Sequence, residues 1–250
     1  MNPDSPLVDD LAPSPNHGDR RGKAVDSLVL HYTGMSTGAA ALAQLRDPQS
    51  GVSCHYLVWE DGRISQLVPE ALRAWHAGTS SWAGESDMNS VSIGIEIVNT
   101  GHDGGRPPYP PAQIAAVVEL CRDICARNAI PRRRVLAHSD IAPGRKIDPG
   151  EWFPWGHLAA AGVGLWVPPA PIQPGPVSHR GDQGLEVDAL QRDLQALGYF
   201  LPVNGVYSAT TEDVVAAFQR HWRQALVDGA ADVSTTETLR QMNSLAASGA

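Results

Sequence analysis

The sequence predicts an α/β domain with a central mixed β-sheet flanked by helices, followed by a small unit of three helices. Three observations predict it. Short β-branched runs alternate with helical patterns over roughly the first 166 residues. A stretch with five prolines, VPPAPIQPGPVSHRGDQG, then interrupts all periodicity. Three amphipathic helical segments follow that stretch.

Taken in order, residues 1–21 are rich in Asp, Pro and Asn and read as an extended lead-in. Val25 to Tyr32 (VDSLVLHY) is apolar and β-rich, the composition of a buried strand. Thr37 to Leu45 is rich in Ala and Leu and predicts a helix. His55 to Trp59 and Ile64 to Val68 are two strands joined at Asp61-Gly62, a strong hairpin signal. Ser90 to Val98 (SVSIGIEIV) is a further strand, and Glu96 alternates with Ile95 and Ile97 and so points away from them. Pro111 to Asn128 carries apolar residues at helical spacing and begins with Pro, which suits the first helical position. Val135 to His138 predicts a short strand that runs into a Gly/Pro-rich loop, Ser139 to Gly150.

These elements place one domain at 22–166, a semi-rigid Pro-rich linker at 167–180 and a helical unit at 181–246. Its helices are expected at Leu185 to Leu197, Thr211 to Trp222 and Thr235 to Met242, with Leu185, Leu190, Leu194 and Leu197 on one side of the first. No tandem repeat is evident in the sequence.

Composition excludes several classes of function. The formal net charge is -8, from 19 basic and 27 acidic residues, which argues against nucleic acid or an anionic membrane as partner. The only basic cluster, Arg132 to Arg134, reads as a solvated loop. Three cysteines, Cys54, Cys121 and Cys125, have no framework spacing, and the last two share one helix face. No run approaches the roughly 20 apolar residues that cross a bilayer. The N-terminus lacks the apolar core of a signal peptide, so the expectation is a cytoplasmic protein, or a periplasmic one if a native leader is missing.

Among nine histidines, position matters more than number. His31 ends a buried strand, His138 ends another, and Asp148 follows across a loop shaped by Pro143, Gly144, Pro149 and Gly150. Two imidazoles and one carboxylate form the protein ligand set of a catalytic zinc, with one coordination position left open. His17, His102, His157, His179 and His221 are assigned no role.

The segments VLHYTGM, AWHAG, NSVSIGIEIVN and AHSDIAPGRKIDPG, in this order over residues 22–160, resemble the signatures of the type 2 N-acetylmuramoyl-L-alanine amidases. That family includes recycling amidases and phage amidases and is related in fold to peptidoglycan recognition proteins. The resemblance implies one Zn2+ per chain held by His31, His138 and Asp148. It also implies Glu96 as the catalytic acid/base and Lys146 as the group that steadies the reacting oxygen. Trp75, His76, Ala77 and Asn89 are implied as substrate contacts. The implied partners are muropeptides and peptidoglycan fragments, and the implied reaction cuts between N-acetylmuramic acid, in the 1,6-anhydro form, and L-alanine during wall recycling. Action on intact sacculus, a lysin role and non-catalytic peptidoglycan recognition are the alternatives.

The C-terminal segments DALQRDLQALGY and NGVYSATTEDVVAAFQRHW resemble the type 1 peptidoglycan-binding domain. Ser208 replaces a usual Gly, and the DG-x-x-G turn reads DGAADV. These departures leave glycan binding and a structural appendage both open.

Overall fold

The computed structural model describes residues 1–248. Its main sheet has six strands in the order β1-β5-β4-β7-β3-β8. These are β1 (Asp10–Leu11), β3 (Ser27–Tyr32), β4 (Tyr56–Val58), β5 (Ile64–Gln66), β7 (Ser92–Ile97) and β8 (Val135–Ala137). Strand β3 is second from the sheet edge, parallel to β7 on one side and to the edge strand β8 on the other. The β4–β5 hairpin is antiparallel, and Gly62 in its turn has φ +91°, a conformation that favours glycine. A two-stranded ribbon pairs β2 (His17–Gly18) with β6 (Arg73–Ala74). The N-terminal segment belongs to the sheet: β1 pairs with β5, and the Arg20 guanidinium donates to the carbonyls of Glu70, Ser90 and Ser92.

Side-chain alternation gives the sheet two different faces. Leu28, Leu30, Ile93, Ile95 and Ile97 pack against Val117, Cys121 and Ile124 of α3 (Pro111–Asn128). Burial of each such side chain contributes about 1.5–3 kcal/mol. The opposite face of β3 and β7 carries Val29, His31, Gly94 and Glu96. Helix α1 (Gly38–Arg46) is capped by the Thr37 hydroxyl, which accepts from the Ala40 amide. All three cysteines are free, and Cys121 and Cys125 lie in the same core cluster.

Several local expectations change. The segment read as the start of a strand at Ser90 begins instead with a one-turn helix, α2 (Met88–Val91), so Asn89 lies on that turn. His138 is not in a strand; it opens another single turn, α4 (His138–Ile141), because Asp140 accepts from the Ala137 amide and closes the backbone there. The arginine run is not freely solvated: Arg132 donates to the Gly164 carbonyl, and Arg134 pairs with Asp26. Helix α5 (Trp155–Ala160) completes this part of the chain.

The Pro-rich segment is tied to the helical unit on either side of an exposed stretch, 171–177. The Ala170 amide donates to Thr238, Ser234 donates to the Ala170 carbonyl, and Ser178 bridges to Ala231. Beyond it lie α6 (Leu185–Leu197), α7 (Ala209–Trp222) and α8 (Val233–Ala247). Their apolar faces share one core with the amidase-like region: Val29, Met88, Leu136 and Ile141 join Leu194, Val214, Phe218 and Trp222. Leu185 does not join them and is 88% exposed. At about 100° per residue it lies roughly 140° from Leu190, and Val187 takes the inner position instead.

An internal repeat invisible in the sequence emerges in the loops after α6 and α7. Gln191 Oε1 accepts from the amides of Asn204 and Gly205, while its Nε2 donates to the Val206 carbonyl and Thr211. Gln219 does the same with the amides of Asp228 and Gly229, the Ala230 carbonyl and Thr235. The two departures noted above sit in these loops. Ser208 caps α7 by accepting from the Thr211 amide, and Asp232 caps α8 by accepting from the Thr235 amide.

Candidate metal centre

His31 and Glu96 occupy directly paired positions on β3 and β7. In a parallel pair such residues project from the same face, so the ladder sets both side chains on one floor. His138 and Asp148 approach from the segment 138–150, which is closed by the Ser139 amide donating to the Asp148 carbonyl.

Three donor atoms converge. His31 Nδ1 is 2.9 Å from His138 Nδ1 and 3.1 Å from Asp148 Oδ2, and His138 Nδ1 is 2.9 Å from that same oxygen. All three residues are buried. A tetrahedral ion with bonds of about 2.0–2.1 Å has ligand–ligand edges of about 3.3 Å, so this triangle could hold a metal with little adjustment. Burial, reinforced by the neighbouring His138, lowers His31 to about 4, which keeps its imidazole neutral and able to ligate. Burial alone would raise the Asp148 carboxyl, but the two imidazoles hold it well below the usual range and thus ionised.

The far nitrogens are fixed as well. His138 Nε2–H donates to the Ala77 carbonyl at 3.2 Å, which leaves Nδ1 as the free lone pair. His31 Nε2–H donates to His76 Nδ1 at 3.0 Å, His76 Nε2–H to Ser92 Oγ at 3.2 Å, and Ser92 to the Met88 carbonyl at 2.5 Å. The chain assigns every proton consistently with a metal-facing His31 Nδ1. The His76 ring lies over Gly94, where any Cβ would collide with it. Asn89 Oδ1 accepts from the amides of both His76 and Ala77.

The expected substrate contacts therefore separate. Trp75 and His76 line the cleft, which has a volume of about 420 Å³ and also exposes Tyr32, Val52, Glu96, Lys146 and Asp148. Ala77 and Asn89 do not line it. Their polar atoms are engaged behind the wall, where Ala77 orients His138 and Asn89 fixes the backbone of 76–77.

Glu96 is half-buried, and its Oε2 is buried without a partner. Burial, and then the Asp148 charge, push its carboxyl well above the usual range, with Lys146 opposing. An orphaned carboxylate oxygen beside a ligand triangle is a site prepared for a polar group that arrives from outside. Arg145, which sequence reasoning passed over, donates to the carbonyls of Ala77 and Thr79 at 2.6 and 2.7 Å. It ties the 138–150 segment to the opposite cleft wall; its place beside Lys146 was the only available signal.

A mixed sheet bearing this buried His–His–Asp group, able to hold a metal ion, beside an unpartnered glutamate has the parts of a metal-assisted hydrolase. The chain belongs to the N-acetylmuramoyl-L-alanine amidase family, whose model matches residues 21–151, and it is an enzyme of that activity. A peptidoglycan binding domain model matches residues 183–239. N-acetylmuramoyl-L-alanine amidase AmiD of Escherichia coli K12 is 39% identical over 220 residues, covering 83% of this chain and 78% of AmiD. The structure of E. coli AmiD in complex with anhydro-N-acetylmuramic acid-L-Ala-D-gamma-Glu-L-Lys aligns with TM-score 0.76 and 35% identity over 92% of this chain and 98% of that one. Pseudomonas aeruginosa AmpDh3 in complex with anhydromuramic pentapeptide aligns at 0.72 and 34%, over 93% and 95%. Among the described residues, no helix is long and apolar enough to cross a membrane.

Proposed function

We propose that this amidase hydrolyses the bond between 1,6-anhydro-N-acetylmuramic acid and L-alanine in soluble wall fragments, with one zinc ion held by His31, His138 and Asp148. The observation that carries the reading is the buried triangle of two imidazoles and one carboxylate beside the orphaned Glu96 oxygen. The anhydromuramyl ligands of AmiD and AmpDh3 support the soluble substrate. A cytoplasmic recycling role belongs to the same reading.

When bound, zinc supplies Lewis-acid polarisation of the scissile carbonyl and lowers the pKa of a coordinated water to about 7. Glu96, raised by burial, takes the proton of the attacking water and returns it to the departing alanine nitrogen. Lys146 stabilises negative charge on the former carbonyl oxygen. Ala77 and His76 keep the two imidazoles aimed throughout. Trp75 offers an apolar plate on the cleft wall.

The peptidoglycan binding domain match favours a second reading, action on intact sacculi. Purified protein is incubated with anhydromuropeptide and with sacculi, with and without a chelator, and released stem peptide is read by mass spectrometry. Chelator-sensitive release from the fragment alone supports the first reading; faster release from sacculi overturns it.

A further inference from the structure

Asp140 sits two residues beyond His138, on the same single turn, and is completely buried. Its Oδ2 accepts from the Ala137 amide at 2.7 Å, the bond that closes this turn at its start. Two further donors reach it from far along the chain. His221 Nδ1–H of α7 donates to Oδ2 at 2.6 Å, and the Tyr199 hydroxyl donates to Oδ1 at 2.8 Å. Buried oxygens of this kind need such donors, and losing one leaves an acceptor unpaired.

The His221 ring has no freedom to aim elsewhere. It is stacked between Trp155 of α5 and Trp222 of α7, with centroids 3.7 Å away on each side. Trp155 belongs to the sheet region and Trp222 to the helical unit, so the sandwich locks the two together. The residue before His221, Arg220, lies 3.8 Å from Glu151, which bonds His102 at 3.1 Å; His102 in turn meets the Tyr32 hydroxyl at 3.0 Å. Tyr32 lines the cleft beside His31. One helix of the C-terminal unit thus reaches behind both histidines of the metal triangle.

We infer that His221 and Tyr199 are positioning residues: through Asp140 they hold the turn that aims His138 at the metal, so the C-terminal helical unit is a working part of the amidase centre. The inference rests on the reading that His138 ligates zinc. It gives this unit a task that does not depend on glycan.

The test uses the full-length protein and reads Zn2+ affinity by competition with a chromogenic chelator, with folding followed by circular dichroism. His221→Phe keeps an aromatic ring in the sandwich and removes the donor, and Tyr199→Phe removes one hydroxyl. Each weakens zinc binding, with about a 10- to 100-fold loss in the double variant, the range found for groups that orient metal ligands. His221→Asn, whose amide nitrogen can replace Nδ1, recovers most of the loss. Val187→Ala, a core change in the same unit away from Asp140, lowers thermal stability and leaves zinc affinity unchanged. If His221→Phe folds poorly, Tyr199→Phe carries the measurement. Folded donor variants that bind zinc as tightly as the parent overturn the positioning role and leave the functional reading intact. A parent protein that binds no zinc overturns both.

Discussion

His31 and Glu96 stand on paired strands, whereas His138, Lys146 and Asp148 hang from the irregular segment 138–150. The first pair is fixed by the backbone ladder of β3 and β7, which any apolar strand of adequate length supplies. The second group is fixed by individual side chains: Arg145 on the carbonyls of Ala77 and Thr79, and Asp140 on Ala137, Tyr199 and His221. Sheet geometry is robust to single substitutions, because many bonds share the task. A loop held by a few long-range bonds is not. The site's weak points therefore lie in the loop's supports and its strong points in the sheet.

The largest effect separates metal retention from proton transfer. Glu96→Ala on the sheet side is expected to keep zinc while kcat falls by about 10²- to 10⁴-fold. His138→Ala on the loop side is expected to lose the metal itself. Metal content by elemental analysis, beside turnover, checks both; a Glu96→Ala protein with normal turnover would remove Glu96 from the mechanism. Next in size, Lys146→Met is expected to cost about 100- to 1000-fold in kcat/KM with zinc retained. Arg145→Ala tests the loop brace and should weaken zinc binding by about tenfold while the fold persists, as seen for residues that orient ligands. The smallest effect concerns the sheet itself. Gly94→Ala forces the His76 ring off its seat and is expected to destabilise the protein by about 1–3 kcal/mol in chemical denaturation.

Legibility in the sequence followed the same division. The strands, the α3 helix and the Asp61-Gly62 hairpin were readable because each is set by near neighbours. Glu96 could be assigned to the face opposite Ile95 and Ile97, but nothing local said that His31 faces it, since register between strands is a long-range property. The spacing of His138 and Asp148 was readable; the turn that carries His138 was not, because its closure depends on Asp140 and on Tyr199 and His221, 59 and 81 residues away. Leu185 looked like a core residue by type and lies off the buried stripe. Asn89 and Ala77 fell in a signature segment as substrate contacts, yet their polar atoms work behind the cleft wall. The Gln191 and Gln219 loops escaped notice as a repeat because their similarity lies in which backbone groups each amide bonds, and the intervening sequences differ in length.

The proline-rich crossing is pinned to α8 at Ala170, and to the loop before α8 at Ser178. A leash needs slack, and the core that the helices share with the sheet leaves little. Any sugar strand gripped by the helices would meet the cleft at one angle and one offset, as paper meets a blade on a guillotine's ruled bed, so cutting would favour strands presented in a single orientation.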